Sequence, residues 1–301
     1  MTTAARILAP ARRTYRGGVT DPERWATWTP RPGDVLVCTP PKCGTTWTQT
    51  ILAMLVHGGP DLPAPVPVIS PWIDADLGVP AAEVAAAVEA QSGRRVIKTH
   101  TPADGFPIWE GVTVVAVYRH PLDVFFSLRR HVANMTETHP PDRPFLAPLP
   151  ESFRRFVEGG VDREDFGHDT LAKITLHYRE TACSEDRSDL KRFHYTDMRR
   201  DGHGAVARLA DAIGVRDTAL VDRVAKATAF DAMKENAANY TPVAGTGFWK
   251  SDADFFDSAS SRKWEGRLSE AEVALFRDRL EELVPDARAR RWLEDGDGPS
   301  A

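Results

Sequence analysis

Four short runs of apolar residues, each bounded by turn-forming residues, predict buried β-strands. These runs cover residues 34–39, 94–100, 112–119 and 192–198. Segments with helical periodicity separate several of them, and the clearest are residues 47–57, 80–91, 203–214 and 269–284. Strands that alternate with helices predict an α/β fold, in which a central, mainly parallel sheet carries helices on both faces. Ligands of such sheets bind at the carboxyl ends of the strands.

The segments between these elements predict a single domain with surface loops. Residues 58–71 and 139–150 are rich in proline, and residues 245–261 are rich in glycine, serine and aspartate. These compositions are typical of surface loops. We expect the whole chain, residues 1–301, to form one domain with a core over about 33–285 and flexible termini.

The charge balance excludes a general attraction to nucleic acid. The chain has 38 Lys and Arg residues against 43 Asp and Glu residues, which gives a formal net charge of −5. Any anion site must therefore be built locally. No uncharged apolar run reaches the roughly 18–20 residues of a membrane span, and no hydrophobic signal core is found near Met1. We predict a cytoplasmic protein without stable membrane insertion, with three reduced cysteines and without a metal requirement.

The most informative motif is "PPKCGTTW", residues 40–47, between the first predicted strand and the helix after it. In a nucleotide-triphosphate loop the lysine follows the last glycine, whereas here Lys42 precedes Gly44. Amides at the start of the helix favour an anion, and Thr45 and Thr46 add hydroxyl donors. The motif therefore predicts a P-loop-like phosphate site, although an ordinary turn with a threonine cap is the alternative.

This motif resembles the phosphosulfate-binding loop of the cytosolic-type sulfotransferases, which use 3'-phosphoadenosine 5'-phosphosulfate (PAPS). Three further segments agree in order and spacing: "IKTHTP" resembles the strand end with the catalytic histidine, "YRHPLDVFFSLRRH" the 3'-phosphate segment, and "FHYTDM" the strand near the adenine. The resemblance covers roughly residues 33–270 and implies the sulfotransferase fold with PAPS as the cofactor. A weaker likeness to bacterial glycolipid sulfotransferases implies a lipid-like or other small acceptor.

The resemblance assigns roles to individual residues. His100 is the expected general base, and Lys42 and Lys98 are expected to stabilise the leaving phosphate. The cofactor-binding residues that it implies are Lys42, Cys43, Gly44, Thr45, Thr46, Trp47, Arg119, Ser127, Tyr195, Thr228 and Phe230. Taken singly, His100 could be a structural histidine, Arg119 the partner in a surface ion pair, and Trp47 a core residue. We assign no chemistry to His120 and His131, which we expect to be solvated or to cap a helix.

The chain departs from the family near its C-terminus. The family carries an Arg-Lys-Gly run where this sequence reads Asp257-Ser258-Ala259. Because aspartate repels a phosphate, we expect Arg262 or Lys263 to take over the 3'-phosphate, with Lys250 as a further candidate. The alternative is a mobile loop with solvated charges. The family's dimerisation motif is not recognisable, so the oligomeric state is open.

Together these features predict a PAPS-dependent sulfotransferase that moves a sulfuryl group to a hydroxyl of a small-molecule or lipid-like acceptor. We expect Phe106, Trp109 and Phe248 among the apolar walls of the acceptor site. Two alternatives stay open at this point. One is a non-catalytic protein that binds PAPS or its product, 3'-phosphoadenosine 5'-phosphate (PAP), and the other is a nucleotide-dependent kinase.

Overall fold

The computed structural model describes residues 3–184, 187–256, 258 and 260–298. Strand β1 (Ile7–Ala9) pairs antiparallel with β4 (Ile108–Trp109). The main sheet is formed by β2 (Val35–Cys38), β3 (Val96–Thr99), β5 (Thr113–Tyr118) and β6 (Leu190–His194). Its order is β3–β2–β5–β6, and all of its pairings are parallel. The predicted parallel sheet is confirmed.

Twelve α-helices lie in the described part of the chain. They are α1 (Thr45–His57), α2 (Val66–Ile69), α3 (Ala81–Glu89), α4 (Pro121–Ala133), α5 (Leu149–Glu158), α6 (Leu171–Ala182), α7 (Tyr195–Arg200), α8 (Gly202–Ala212), α9 (Thr218–Ala227), α10 (Phe230–Glu235), α11 (Glu270–Leu283) and α12 (Ala287–Asp295). The four predicted helices correspond to α1, α3, α8 and α11, with ends that differ by a few residues.

The last predicted strand is shorter than the sequence indicates. Its apolar pattern predicts a strand to residue 198, but β6 ends at His194 and α7 begins at Tyr195. The cause is a cap, because Nδ1 of His194 accepts a hydrogen bond of 3.3 Å from the backbone N–H of Thr196. A side chain that satisfies a first-turn amide starts a helix where periodicity alone continues the strand.

Helices cover both faces of the main sheet. Side chains that alternate along β2 point to opposite faces: Val35 and Val37 pack into the core cluster that contains α1, α8 and α9, whereas Leu36 packs into another cluster with Trp28 and Phe106. Tyr118 of β5 faces the cluster that contains α4, α5, α6 and α11. The strands are therefore buried on both sides, which explains their continuous apolar runs.

The order of the strands places a crevice at the end of β2. The chain passes from β2 to β3 on one side, while β5 lies on the other side of β2. Such a reversal of strand order leaves the carboxyl end of the central strand open between the two crossovers. The loop after β2, His100 after β3 and Arg119 after β5 all lie at this end of the sheet.

The three predicted surface loops are only partly irregular. Residues 58–71 contain α2, residues 139–150 contain a 3-10 helix (Arg143–Leu146) and the start of α5, and residues 245–261 contain a 3-10 helix (Ala253–Phe255). Proline causes the first two differences, because its fixed φ angle suits the first positions of a helix. Within the described ranges, no helix has the length and apolar character needed to cross a membrane.

Candidate active site

The loop after β2 brings backbone amides to the crevice. Gly44 precedes α1 in a left-handed conformation, with φ of +98°. An added β-carbon there would lie 2.9 Å from Cδ2 of Tyr195, so only glycine fits between the ring and the helix start. The hydroxyl groups of Thr39 and Thr45 are 2.6 Å apart across the loop. Within the described residues no side chain caps α1, so its first amides are oriented for an external anion.

His100 forms a hydrogen bond with the same loop. Its Nδ1 atom lies 2.5 Å from the carbonyl oxygen of Thr39. A carbonyl only accepts, so Nδ1 carries the proton and Nε2 keeps its lone pair. Burial, and then the positive charge of Lys98, hold the pKa of His100 well below its ordinary value. The imidazole is therefore neutral at physiological pH and can accept a proton at Nε2.

Two ionisable groups, Lys98 and Asp74, interact electrostatically close to His100. Burial lowers the pKa of Lys98 to about 8, against the opposing effect of the Asp74 carboxylate. Asp74 is completely buried and accepts hydrogen bonds from the hydroxyl groups of Thr99 (2.9 Å) and Thr101 (2.6 Å). Burial raises the pKa of Asp74 to about 6. Sequence reasoning missed Asp74, because it lies in an irregular segment that runs beside β3 and belongs to no motif.

Arg119 is buried on the other side of the loop. Its guanidinium lies 4.4 Å from the centre of the Tyr195 ring and donates to the carbonyl oxygen of Ser260 (2.8 Å) and, more weakly, to that of Lys42 (3.4 Å). Its Nε atom is buried and has no hydrogen-bond partner among the described residues. Ser127 is nearly buried on α4, but no hydrogen bond joins it to Arg119 in the described part of the chain. The expectation that Arg119 and Ser127 both bind the cofactor stays a prediction.

An aromatic cavity lies beyond the loop. Trp47 donates its indole N–H to the carbonyl oxygen of Thr228 over 2.9 Å and contacts the Tyr195 ring edge-on. The cavity has a volume of about 290 Å³, and Trp47, Thr228 and Phe230 line it together with Met198. The structure therefore brings together three of the expected cofactor-binding residues, Trp47, Thr228 and Phe230.

The C-terminal segment approaches the site through its backbone. The carboxylate of Asp123, in the first turn of α4, accepts hydrogen bonds from the amides of Arg262 (2.9 Å) and Lys263 (2.8 Å). The Arg262 side chain is 67% exposed and lies 3.4 Å from Glu265. The structure does not bring this guanidinium to Arg119, because the Asp123 contact fixes the backbone and leaves the side chain in solvent. The part of the predicted departure at Asp257 and Ala259 lies outside the described residues.

Four other expected site residues occupy structural positions. The Cys43 thiol is completely buried in the core with α4, so only its backbone is available to a ligand. Lys250 donates to the carbonyl oxygen of Ala133 over 2.7 Å and so satisfies the end of α4. Phe106 and Trp109 pack in the core with Trp25 and Trp28, so they are not acceptor walls. The prediction was wrong for these two, because an aromatic residue close to a strand end in the sequence can equally be a core residue.

Of His120, which precedes α4, and His131, near the end of that helix, only His120 meets the expectation of a capping or solvated histidine. His120 does cap α4, since its Nδ1 accepts from the Leu122 amide over 3.2 Å, but it is buried against Trp264 and Phe276. His131 neither caps a helix nor points into solvent, because its Nδ1 lies 2.9 Å from Nζ of Lys42. Spacing along α4 could have placed His131 beside Ser127 on the same helical face, one turn later.

These groups fit an adenosine bisphosphate that ends in a sulfate. Uncapped amides at α1, the glycine that lets the backbone approach, and Lys42 suit the 5' end of PAPS. The buried Nε of Arg119, which has no hydrogen-bond partner in the part of the chain that the structure describes, suits a second phosphate, and the aromatic cavity suits the adenine.

Comparison with known proteins agrees with this geometry. Residues 32–288 match the family described as "Sulfotransferase domain". A glycolipid sulfotransferase of Mycobacterium bovis is 34% identical over 313 aligned positions, which cover 95% of both chains. A glycolipid sulfotransferase of Mycobacterium tuberculosis is equally similar, at 34% identity and 95% coverage of both chains.

Solved structures show the same fold. Mouse sulfotransferase SULT7A1, crystallised with PAP, superposes with a TM-score of 0.67 at 16% identity and covers 90% of this chain and 92% of its own. A retinol dehydratase in complex with androsterone and PAP also has a TM-score of 0.67, at 18% identity, and covers 85% of this chain and 82% of its own.

The predicted sulfotransferase fold and the predicted PAPS-dependent sulfotransferase are confirmed by the family match. That match spans most of the chain, including the loop, the two strand ends and α4. The chain belongs to the sulfotransferase family.

Proposed function

We propose that the protein transfers the sulfuryl group of PAPS to a hydroxyl of a lipid-like acceptor, with His100 as the general base. PAPS supplies a sulfuryl group that is activated by a phosphate leaving group. The observation that carries the proposal is the 2.5 Å contact between His100 and the carbonyl oxygen of Thr39, which ties the base to the phosphosulfate loop. A base fixed to the loop is held where an acceptor hydroxyl must arrive.

The base has the tautomer that this reaction requires. With its proton on Nδ1, His100 presents Nε2 to the acceptor and takes the hydroxyl proton as the oxygen attacks. The edge-on ring of Trp72, with centroids 4.6 Å apart, fixes the second side of the imidazole. The low pKa of His100 keeps the base unprotonated throughout the neutral range.

Positive groups around the loop stabilise the charge on the leaving phosphate. Lys42 belongs to the loop itself, and Lys98 lies in β3, two residues before His100. Charge develops on the leaving oxygen in the transition state, so a cation in this partly buried crevice lowers the barrier more than it would in water. We assign Arg119 and Ser127 to the 3'-phosphate, and Trp47 and Phe230 to the adenine.

The acceptor class is supported by relatives and by local composition. The two mycobacterial relatives named above are glycolipid sulfotransferases. Next to Lys42 the half-buried Phe255 ring supplies aromatic surface and packs on His131, as does the buried Trp249 ring. Apolar surface beside a polar reaction centre suits a molecule with a hydroxylated head and a lipid part.

The test is PAP release from PAPS with a panel of glycolipids and simple alcohols. We expect wild-type turnover with at least one glycolipid, and a loss of about 10²–10⁴ in kcat for His100→Ala. The affinity for PAP, measured by titration calorimetry, should change by less than about twofold in this variant, because the base belongs to the acceptor side. His57→Ala is the matched control, since His57 is exposed at the far end of α1.

Two results would reject the proposal. Tight PAP binding without turnover on any acceptor would favour a protein that only binds the nucleotide. Full activity of His100→Ala would remove the base from the mechanism.

We also propose that residues 1–301 form one domain in the cytoplasm. Elements near both ends support the first point, because β1 pairs with β4 and Leu293 of α12 packs into the core cluster that contains Tyr118. One cooperative thermal transition with equal calorimetric and van't Hoff enthalpies is the expected result, and two separate transitions would contradict it. Fractionation of cells that produce the protein tests the location.

A further inference from the structure

His131, which has no role in the proposed reaction so far, forms a polar contact with Lys42 of the loop. Nζ of Lys42 lies 2.9 Å from Nδ1 of His131, which is in the last turn of α4. The imidazole is partly buried, with the Trp249 ring 4.8 Å and the Phe255 ring 5.7 Å from its own ring centre. Nζ of Lys42 also lies 4.7 Å from the centre of the Phe255 ring. The contact is therefore enclosed by aromatic side chains.

The chemistry of the two groups fixes the direction of this hydrogen bond. An ammonium group has three donors and no acceptor, so Lys42 donates and Nδ1 of His131 accepts. The proton of a neutral imidazole must then be on Nε2. Burial, and then the charges of Lys42 and Lys98, keep the pKa of His131 well below its ordinary value, which is consistent with a neutral ring. A protonated ring would repel both lysines.

Lys42 needs such a contact more than an ordinary surface lysine. Its long side chain loses rotamer entropy when it is held in one place. Its backbone is in the left-handed region, with φ of +62°, which is unfavourable for a residue with a β-carbon. Arg119 donates to its carbonyl oxygen over 3.4 Å. Both the main chain and the side chain of Lys42 are thus fixed by residues that follow β5.

We propose that His131 is a positioning residue for the sulfuryl transfer, which holds the Lys42 ammonium at the mouth of the loop for the leaving phosphate. The proposal rests on the proposed function for the role of Lys42. Because the ammonium carries three donors, a bond to His131 and a bond to a cofactor oxygen can exist together. His131 would thus act on the transition state through Lys42 and contribute little to nucleotide affinity.

Two substitutions at position 131 separate positioning from packing. His131→Asn keeps an acceptor oxygen near the place of Nδ1 but loses most of the ring packing. His131→Phe keeps an aromatic ring against Trp249 and Phe255 but removes the acceptor. We expect kcat to fall by about tenfold in His131→Phe and by less than about threefold in His131→Asn, since a hydrogen bond to a charged group is lost only in the first. The Kd of PAP should stay within about twofold in both.

The reverse order, with the phenylalanine variant more active than the asparagine variant, would overturn the proposal and leave His131 a packing role. His57→Phe controls for a histidine-to-phenylalanine change elsewhere on the protein. In a Lys42→Met background, His131→Phe should cause no further loss of kcat, because the two residues act as one unit. An undiminished tenfold loss in that background would also overturn it.

A readout without turnover tests the contact itself. Imidazole nitrogen chemical shifts of the ¹⁵N-histidine-labelled protein should show His131 neutral with its proton on Nε2, and Lys42→Met should shift the Nδ1 resonance. A proton on Nδ1, or an Nδ1 chemical shift that is the same in wild type and Lys42→Met, would overturn the proposal whatever the activity. Absence of wild-type turnover would reject the proposed function and this role together. Equal activity of both variants in an active enzyme would reject the role of His131 alone.

Discussion

The Tyr195 ring occupies the space into which a side chain on Gly44 would project. A β-carbon at Gly44 would lie 2.9 Å from Cδ2 and 3.3 Å from Cε2 of that ring. The same ring supports the Arg119 guanidinium at 4.4 Å. A displacement of Tyr195 would therefore disturb its contact with Arg119 as well, which couples the loop at Gly44 to the proposed 3'-phosphate site.

Gly44→Ala should weaken PAP binding by at least about tenfold and lower the melting temperature. The added methyl must displace the ring, and the left-handed backbone adds strain of order 1 kcal/mol. Gly58→Ala is the control, because Gly58 ends the same helix at φ of +83° and an added β-carbon meets nothing within 4 Å. Calorimetry should give the control an unchanged Kd for PAP. Equal losses of affinity in both variants would show that backbone strain, not the ring, is responsible.

Trp47 allows a separate test of the adenine cavity. Trp47→Ala should weaken PAP binding by about tenfold or more, because stacking on an aromatic ring contributes roughly 1–3 kcal/mol per base. Trp47→Phe keeps a ring but loses the 2.9 Å hydrogen bond to Thr228, so its Kd should rise by less than about fivefold. The comparison of PAP with inorganic pyrophosphate identifies the cause, since a ligand without a base should bind both variants as weakly as wild type. A Trp47→Ala variant with unchanged PAP affinity would place the adenine elsewhere.

Local sequence predicted the parts of this site that depend on backbone geometry. The strand runs, the glycine before α1 and the strand-end positions of His100 and Arg119 follow from periodicity and motif order. Long-range contacts could not be predicted in this way. The bond between Lys42 and His131 joins residues 89 positions apart, and the carboxylate of Asp74 reaches Thr99 and Thr101 across a separate segment. Such pairs depend on packing between elements, which a single sequence does not encode in its spacing.

Lys98 should give the reaction an alkaline limit. Its pKa of about 8 means that the ammonium is present below pH 8 and is lost as the pH rises through that value. Since His100 is neutral over this range, kcat/KM, which reports the free enzyme, should fall on the alkaline side with an apparent pKa near 8. Lys98→Arg should move this limit above about pH 10, because a guanidinium keeps its proton there. A limit that stays near pH 8 in Lys98→Arg would assign it to another group.

Asp74→Asn should shift the same limit in the opposite direction. The Asp74 carboxylate raises the pKa of Lys98 against the effect of burial, so its neutral replacement should move the alkaline limit below pH 8. The pH dependence of the unfolding free energy provides an independent test of the Asp74 pKa. Because burial raises the pKa of Asp74 from 3.8 to about 6, the native state binds the extra proton in this interval, and wild type loses stability as the pH rises through it. The unfolding free energy of Asp74→Asn relative to wild type should therefore increase between pH 4 and 7, and a constant difference would contradict the assignment.

The C-terminal segment is held next to Arg119 through backbone groups, which motif comparison does not reveal. A motif comparison assigns side-chain charges to positions, so it pointed to the side chain of Arg262 or Lys263. In the structure the Arg262 guanidinium is exposed, while the amides of residues 262 and 263 are held by Asp123 and the carbonyl of Ser260 by Arg119. Backbone groups carry no residue-type signal, and their use is therefore invisible in a sequence.

Asp123→Ala should release this segment, and trypsin provides the measurement because it cleaves after Arg262 and Lys263. Two hydrogen bonds to one carboxylate are lost, each worth roughly 1.5–3 kcal/mol, so cleavage at these two bonds should become at least about tenfold faster. Glu265→Ala is the control, since it removes only the exposed 3.4 Å partner of Arg262, and such surface pairs contribute about 0–1 kcal/mol. If the segment closes on the 3'-phosphate, saturating PAP should slow cleavage of wild type but protect Asp123→Ala much less. Equal protection of both proteins would mean that the cofactor holds the segment without Asp123. Equal cleavage rates for wild type and Asp123→Ala in the absence of PAP would mean that the segment is fixed by Arg119 and Ser260 alone.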